Sequence, residues 1–567
     1  MIKGTSASPG VVIGRAFLIK EEELSIPKYI STFELEEARL GQAIQATKLE
    51  LNDLIEKTLK NLGQDKALIF EAHAMILEDP ELLKQTLNKI KKESINAEFA
   101  LNAIANQFIA VFEKMEDPYL RERACDIRDV TSRLLYTLAK KKKISLENLD
   151  TPVVLIAHDL TPSQTASMDR LNVLGFLTDI GGKTSHTAIM ARTLEIPAIV
   201  GLSNITQIIK DGDQVAFDGY TGEVVINPTP LQIEFFNERH ISFLANKKNH
   251  ELMIGLESVT LDGFHVELAA NIGTPNDLAA FHRNDAEAVG LYRTEFLFMD
   301  RVNMPSEDEQ YHAYSEVIKG LKGKNCIIRT LDIGGDKKLT YLDIGEEANP
   351  FLGYRAIRIC LKEPELFKTQ LRALFRASSH GPLSVMFPMI SSLEEIIAVK
   401  KIWNEVKEEL KFKKVAFSEK IQLGIMIEIP SAAILSDILI DHVDFFSIGT
   451  NDLTQYTCAV DRMNEKIEHL YNPYNPGLLR LIHTTIKNAR AKNKMVGICG
   501  SMAHQKDLVP LFVGMEINEL SMSAMHILPT RKIIRELKKA DCEKLVVEFL
   551  KLGTAEEVKI LLNKGDL

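Results

Sequence analysis

From about residue 261 to the C-terminus, short apolar runs alternate with longer amphipathic ones, and this alternation constrains the fold more than any other feature. Eight strand candidates occur in order: Glu267–Asn271, Ala288–Tyr292, Cys326–Leu331, Leu383–Met389, Leu423–Glu428, Val443–Ile448, Met495–Cys499 and Glu519–Met522. Each is followed by a stretch of helical periodicity. Eight βα units over roughly 255 residues match a TIM barrel, in which chemistry sits on the loops that follow the strands. Those loops carry Arg293 with Glu295, Arg329 with Asp332, Glu428, Asn451 with Asp452, and Cys499. One mouth therefore gathers arginines, carboxylates and a thiol.

The N-terminal half reads differently. Apolar runs near residues 11–19 and again from Val153 to Ile226 predict an α/β domain, and residues 32–143 between them are rich in Leu, Ala, Glu and Lys at helical spacing. The expected organisation is multidomain α/β. An α/β domain comprises 1–20 and 145–228, an α-helical subdomain 21–144 is inserted in it, a helical linker covers 229–260, and the barrel spans 261–567.

Within the α/β domain, Gly181-Gly182-Lys183-Thr184-Ser185-His186 leads into helical periodicity from Thr187 to Arg192. Hydroxyl residues suited to an N-cap put His186 in the first helical turn. Free backbone N–H groups and the positive end of the helix dipole there favour a dianionic group on the imidazole. Neutral imidazole is also a nucleophile near physiological pH. An isolated histidine in a helix is more often a cap or core residue; the surrounding string favours the nucleophile.

At the barrel mouth, Glu428 and Asp452 form a carboxylate pair suited to one Mg²⁺, which completes its shell with substrate oxygens and water. Arg293, Arg329 and Arg462 offer planar forks for phosphate and carboxylate. Taken singly, each arginine is as well explained by a salt bridge. Gathered at one mouth, they favour a small phosphorylated acid as substrate.

The string Gly181–Arg192, together with G-L-Y-R-T-E-F-L-F-M (290–299), I-I-R-T-L-D-I-G-G-D-K (327–337), N-P-F-L-G-Y-R-A-I-R (349–358), V-M-F-P-M-I (385–390) and F-F-S-I-G-T-N-D-L-T-Q-Y-T (445–457), resembles the phosphoenolpyruvate-utilising enzymes, and among them the Enzyme I family of bacterial phosphotransferase systems. The resemblance covers nearly the whole chain, from Ala7 to Ala524. It implies that His186 takes a phosphoryl group from phosphoenolpyruvate (PEP) and passes it to an HPr-like phosphocarrier protein. It further implies that Arg293, Arg329, Arg355, Arg462 and Asn451 bind PEP, that Glu428 and Asp452 ligate Mg²⁺, and that Cys499 protonates C3 of the enolate. Thr165 is implied as a hydrogen-bond partner of the active histidine, the helical subdomain as the phosphocarrier-binding surface, and the barrel as the homodimer contact. One position departs from the pattern: Ser501 stands where the family commonly has Glu, which puts efficient enolate protonation in question.

Other classes are disfavoured. Net charge is −10, with Lys+Arg 68 against Asp+Glu 78, so a nucleic-acid or anionic-membrane surface is not expected as the main partner. No signal-peptide or membrane-span pattern is present, and six scattered cysteines fit reduced thiols in a cytoplasmic protein. A PEP-synthase-like dikinase needs a nucleotide-grasping domain for which the chain has no room. A non-catalytic PEP-sensing regulator and a nitrogen-type paralogue stand as alternatives; the latter usually carries an N-terminal sensory domain, and the sugar-type arrangement is expected here.

Overall fold

The computed structural model describes residues 2–19, 24–62, 64–113, 118–141, 146, 149–160, 164–165, 168–169, 171–182, 185–194, 196–299, 301, 303–335, 339, 341–342, 345, 347–462, 464 and 466–564. These form two compact units, residues 1–247 and 248–567.

The first unit is built on one mixed sheet. Its strands are β1 (Ile2–Lys3), β2 (Thr5–Ser8), β3 (Val11–Leu18), β4 (Val153–Ala157), β5 (Val173–Thr178), β6 (Ala198–Val200), β7 (Gln214–Asp218) and β8 (Glu223–Ile226), in the order β1-β8-β7-β3-β4-β5-β6-β2. The central parallel strands β4, β5 and β6 are buried on both faces, which explains why β4 reads Val-Val-Leu-Ile-Ala without alternation. The sequence pattern divides residues 11–19 into two short pieces; they form one strand, because Gly14 packs closely on Val154 and Leu174. β1, β2 and β6 are too short to give a periodic signal.

Strands β3 and β4 are direct neighbours, with Leu18 registered on Ile156, although more than a hundred residues separate them. Among the described residues that interval holds five helices: α1 (Phe33–Leu62), α2 (Gln64–Leu77), α3 (Pro80–Glu93), α4 (Ala97–Glu113) and α5 (Pro118–Leu138). α3 starts sharply because Asp79 accepts from the amides of Glu81 and Leu82 at 3.0 and 2.8 Å and Pro80 follows the cap. The helices share a core of Leu40, Leu51, Phe70, Ile90, Leu101 and Leu134. The segment Pro230–Leu256 is a helix over Pro230–Glu251.

The second unit closes all eight expected strands into a parallel barrel: β9 (Glu267–Ile272), β10 (Ala288–Arg293), β11 (Cys326–Arg329), β12 (Leu383–Phe387), β13 (Gln422–Ile427), β14 (Phe445–Gly449), β15 (Met495–Cys499) and β16 (Glu519–Met522), with β16 returning to β9. Predicted and observed ends agree within two residues, and those of β15 and β16 coincide. Alternate strand residues serve two cores. Leu291, Ile327, Met386, Met426, Phe445 and Cys499 pack inside the barrel, while the opposite faces join the surrounding helices in a larger apolar layer. Among the described residues, no helix is long and apolar enough to cross a membrane.

Candidate active site

The first centre lies after β5. Asp179 accepts from the Thr206 hydroxyl and amide at 2.5 and 3.0 Å and contacts His158 at 3.1 Å, which anchors the chain just before the Gly pair. Burial opposes the Asp179 charge, but these hydrogen bonds outweigh it and hold the carboxyl below its ordinary range. Gly181 has φ +116°, a conformation that favours glycine, and a side chain there would press on Val200. The next helix runs His186–Leu194, so His186 occupies its first position, and Ser185 caps it by accepting from the Ala188 amide at 3.3 Å. Thr187 donates to Asp159 at 2.9 Å and to the Leu160 carbonyl at 3.2 Å, tying this helix to the loop after β4. Thr165 is buried in the same unit. Lys183, Thr184 and the His186 ring lie outside the described residues and side chains.

The second centre is the mouth formed by the C-terminal ends of the barrel strands. Arg329, at the end of β11, contacts Glu295 and reaches Asp332 at 2.9 Å. Asp332 also receives Arg355 at 2.9 Å, and Arg355 lies 3.6 Å from Asp452. Arg462 approaches the other Asp452 oxygen at 3.7 Å. Arg355, from the connection between β11 and β12, thus meets Asp452 and Arg462, both from the connection between β14 and β15, in one network. Burial disfavours the Arg355 charge, but Asp332 and Asp452 outweigh it and raise the guanidinium above its ordinary value. Arg293 is depressed by burial and by the neighbouring Arg329 cation, so it is a desolvated positive charge facing another. An incoming anion would relieve that repulsion.

Glu428 follows β13 and is 1% exposed. Burial, then the Asp452 and Asp332 carboxylates, push it up to about 8. The Asp452 Oδ1 atom is buried and makes no hydrogen bond. Two buried carboxylates that repel each other, one with an oxygen that accepts no hydrogen bond, form a donor set that fits a hard divalent cation. Among the described residues no group of three His, Cys, Asp or Glu side chains converges, so such an ion would complete its shell with other oxygens.

Cys499 ends β15 at 2% exposure, and its sulfur accepts from the Ser447 hydroxyl at 3.3 Å. Burial pushes the thiol up to about 11, so at neutral pH it carries its proton and can act as an acid. Gly500 follows with φ +118°, and a Cβ there would stand 2.5 Å from the Thr450 hydroxyl. Asn451 is oriented by Ser501, which donates to its Oδ1 through both the amide (3.1 Å) and the hydroxyl (2.8 Å).

Of the sequence candidates, Arg329, Arg355, Asp452 and Arg462 are brought together by direct contacts, and Glu428 lies within their field. Sequence reasoning leaves out two contributors. Tyr456 receives a hydrogen bond from Arg355 at 3.2 Å; it sits in the quoted string 445–457, yet a lone tyrosine gives no signal. The Met389 amide donates to Glu428 at 2.6 Å, and a backbone donor is invisible in side-chain chemistry.

A parallel βα barrel with an arginine–carboxylate mouth and a buried thiol, in one chain with a domain that presents a histidine at a helix start, defines the class of phosphoenolpyruvate-utilising enzymes. Three family models match: the PEP-utilising enzyme N-terminal domain at residues 3–123, the mobile domain at 149–222 and the PEP-binding domain at 247–539. The chain belongs to the PEP-utilising enzyme family. Its relatives include the phosphoenolpyruvate-protein phosphotransferase of Staphylococcus carnosus (strain TM300), 48% identical over 99% of this chain and 98% of the relative. That of Bacillus subtilis (strain 168) is 49% identical over 98% of each. A solution structure of an Enzyme I protein (nEIt) is 46% identical, covers 43% of this chain and 99% of its own, and has a TM-score of 0.38.

Proposed function

We propose that the chain is a phosphoenolpyruvate–protein phosphotransferase that moves the phosphoryl group of PEP to His186, releases pyruvate, and delivers the group to a histidine of an HPr-like phosphocarrier. The observation that carries this reading is the barrel mouth, where desolvated arginines face buried carboxylates and a protonated thiol.

Phosphoryl transfer needs positioning and charge stabilisation more than covalent chemistry from the protein. In this reading Arg293, Arg329, Arg355 and Arg462 receive the phosphate and carboxylate oxygens of PEP, and Asn451 helps orient them. Arg329 and Arg355 are held in place by Asp332, so their forks are pre-organised before substrate arrives. Glu428 and Asp452 would hold Mg²⁺, which when bound supplies Lewis-acid stabilisation of the PEP oxygens. The His186 imidazole attacks phosphorus, the bridging P–O bond breaks, and the enolate takes a proton at C3 from the Cys499 thiol. Thr165 serves the histidine by hydrogen bonding, and the helix start at His186 stabilises the phosphoryl group it then carries.

The partner surface belongs to the helical segment. His73 there is buried between Asp126 at 3.2 Å and Asp129 at 3.9 Å, while Met75 on the same helix is 74% exposed. Arg121–Arg123 are outside the described side chains. The exposed Met75 offers an apolar contact, and the partly exposed Asp126 a negative charge, to a basic phosphocarrier. A homodimer and a cytoplasmic setting complete the reading.

Incubation with ³²P-labelled PEP and Mg²⁺ tests it. Acid-labile, base-stable label on the wild type and none on His186→Ala is expected. Folded wild type without label would overturn the assignment and favour a PEP-sensing regulator.

A further inference from the structure

The barrel interior holds a second acid that the chemistry above does not use. Glu519, the first residue of β16, is 1% exposed, and neither of its carboxyl oxygens has a hydrogen-bond partner. Its side chain points inward. Its Oε1 lies 2.6 Å from where a Gly290 Cβ would stand and 2.8 Å from the corresponding point at Gly497. A glycine on the adjacent strand β15 and one on β10, two strands away, therefore leave the space this carboxyl occupies. Burial and the nearby Glu267 carboxylate push Glu519 well above the usual carboxylate range.

The register joins this acid to the reactive thiol. Gly497 on β15 is paired with Ser447 on β14 at one side and with Glu519 on β16 at the other. Ser447 is the residue whose hydroxyl donates to the Cys499 sulfur at 3.3 Å, and Cys499 stands two residues beyond Gly497 on the same inward face. The only position between the acid and the relay hydroxyl thus lacks a side chain. At the other end Glu519 is registered with Glu267, a partly exposed residue at the strand-start rim of the barrel, with the His265–Glu287 pair (3.2 Å) beside it.

We propose that Glu519 is the internal acid that returns a proton to Cys499 after each enolate protonation, through the Ser447 hydroxyl. The step balances. When the thiol has given its proton to C3 it is a thiolate; the Ser447 O–H bond breaks and an S–H bond forms. The Glu519 carboxyl, which no hydrogen bond holds, swings across the gap left at Gly497; its O–H bond breaks and the serine O–H is restored, with every electron pair staying on its atom. The carboxylate left behind is reprotonated from solvent by way of Glu267. Glu519 acts through Cys499 and touches no substrate. A buried thiol whose exposed follower is Ser501 rather than a carboxylate gains a proton source from the opposite end of the barrel.

This inference rests on the phosphotransferase reading, and the test separates the two. The enzyme is incubated in D₂O with Mg²⁺, PEP and [¹⁴C]pyruvate, without phosphocarrier. Carbon exchange between pyruvate and PEP needs only that the thiol shuttle one proton back and forth, whereas deuterium enters C3 only when the thiol equilibrates with solvent. In Glu519→Gln and in Ser447→Ala, deuterium entering per carbon exchanged is expected to fall at least tenfold from the wild-type ratio. An unchanged ratio in both variants overturns the relay, as does a parallel loss of both signals in both variants, which marks structural damage. Should Glu519→Gln fail to fold, the Ser447→Ala ratio decides alone. Wild type showing no carbon exchange would overturn the phosphotransferase reading itself.

Discussion

The Glu428 carboxylate accepts a hydrogen bond from the Met389 amide at 2.6 Å, and Met389 holds the left-handed backbone conformation, φ +58°, that delivers that amide. For a residue other than glycine this conformation costs roughly 1–2 kcal/mol. The strain follows Pro388, immediately after β12, and fixes a carboxylate that burial and two like charges already disfavour.

Glu428→Gln is expected to keep that hydrogen bond while removing the repulsion. The thermal midpoint in EDTA should match or exceed wild type, and the rise on adding Mg²⁺ should vanish. PEP–pyruvate exchange should drop by about 100-fold or more, the scale of losing one preorganised electrostatic element. A lower midpoint in EDTA would mean that the carboxylate serves mainly to hold the barrel together.

Gly334 is the second backbone device at the mouth. Its φ is +110°, and a Cβ there would stand 2.3 Å from the Cβ of Arg355. Gly334→Ala must therefore displace the chain carrying Arg355 and loosen its 2.9 Å contact with Asp332. KM for PEP should rise at least tenfold, with a stability loss of more than about 1 kcal/mol. Steady-state kinetics and urea unfolding check both; wild-type KM would show that Arg355 does not bind PEP.

Barrel strands were legible because both of their faces are buried, so four- to six-residue apolar runs stand out between amphipathic helices. Site side chains were legible where a charged residue ends such a run, as Arg293, Arg329 and Glu428 do. Asn451, Asp452 and Cys499 were found because they stand at or just beyond the end of such a run. What escaped has no side-chain signature. The Met389 amide depends on a backbone turn, and Tyr456 depends on Arg355 arriving from a loop a hundred residues away. Glu519 escaped for the opposite reason, since a carboxylate at the start of a strand reads as a solvated end. Only closure of β16 onto β9 buries it.

His504 and His526 stack face to face, with ring centroids 3.9 Å apart and planes at 10°. Burial, then the His504 charge, depress His526 from 6.5 to about 4, and burial lowers His504 as well. Both rings are therefore neutral in the fold, and the unfolded chain binds protons first as pH falls. Their contribution to stability is complete above about pH 6.5 and is lost as pH falls toward 4. The thermal midpoint should drop between about pH 7 and pH 5, and the drop should be shallower in His526→Phe, which keeps a stacking ring. Equal slopes would show that other groups govern this range.

Arg531 closes the barrel. Its side chain is 1% exposed, on the helix Ile527–Glu536 after the last strand, and all its partners come from the segments that lead into the first two strands. It reaches Asp285 Oδ2 at 2.6 Å, the Asp285 carbonyl at 2.7 Å, the Met253 carbonyl and the Ser258 hydroxyl at 3.0 Å, and Glu287 at 3.3 Å. A well-packed apolar replacement of a whole buried ion pair is often neutral, but removing one partner strands the others. Arg531→Met takes away the charge partner of Asp285 and the donor of two backbone carbonyls, and should cost about 3–5 kcal/mol. Lysine restores a charge but supplies a single point where this site uses three nitrogens, so Arg531→Lys should recover only part of the loss. Urea unfolding monitored at the single tryptophan, Trp403, reads the difference, because this residue packs in the outer core of the same barrel. A methionine variant as stable as wild type would mean that the barrel ends are joined by apolar contact alone.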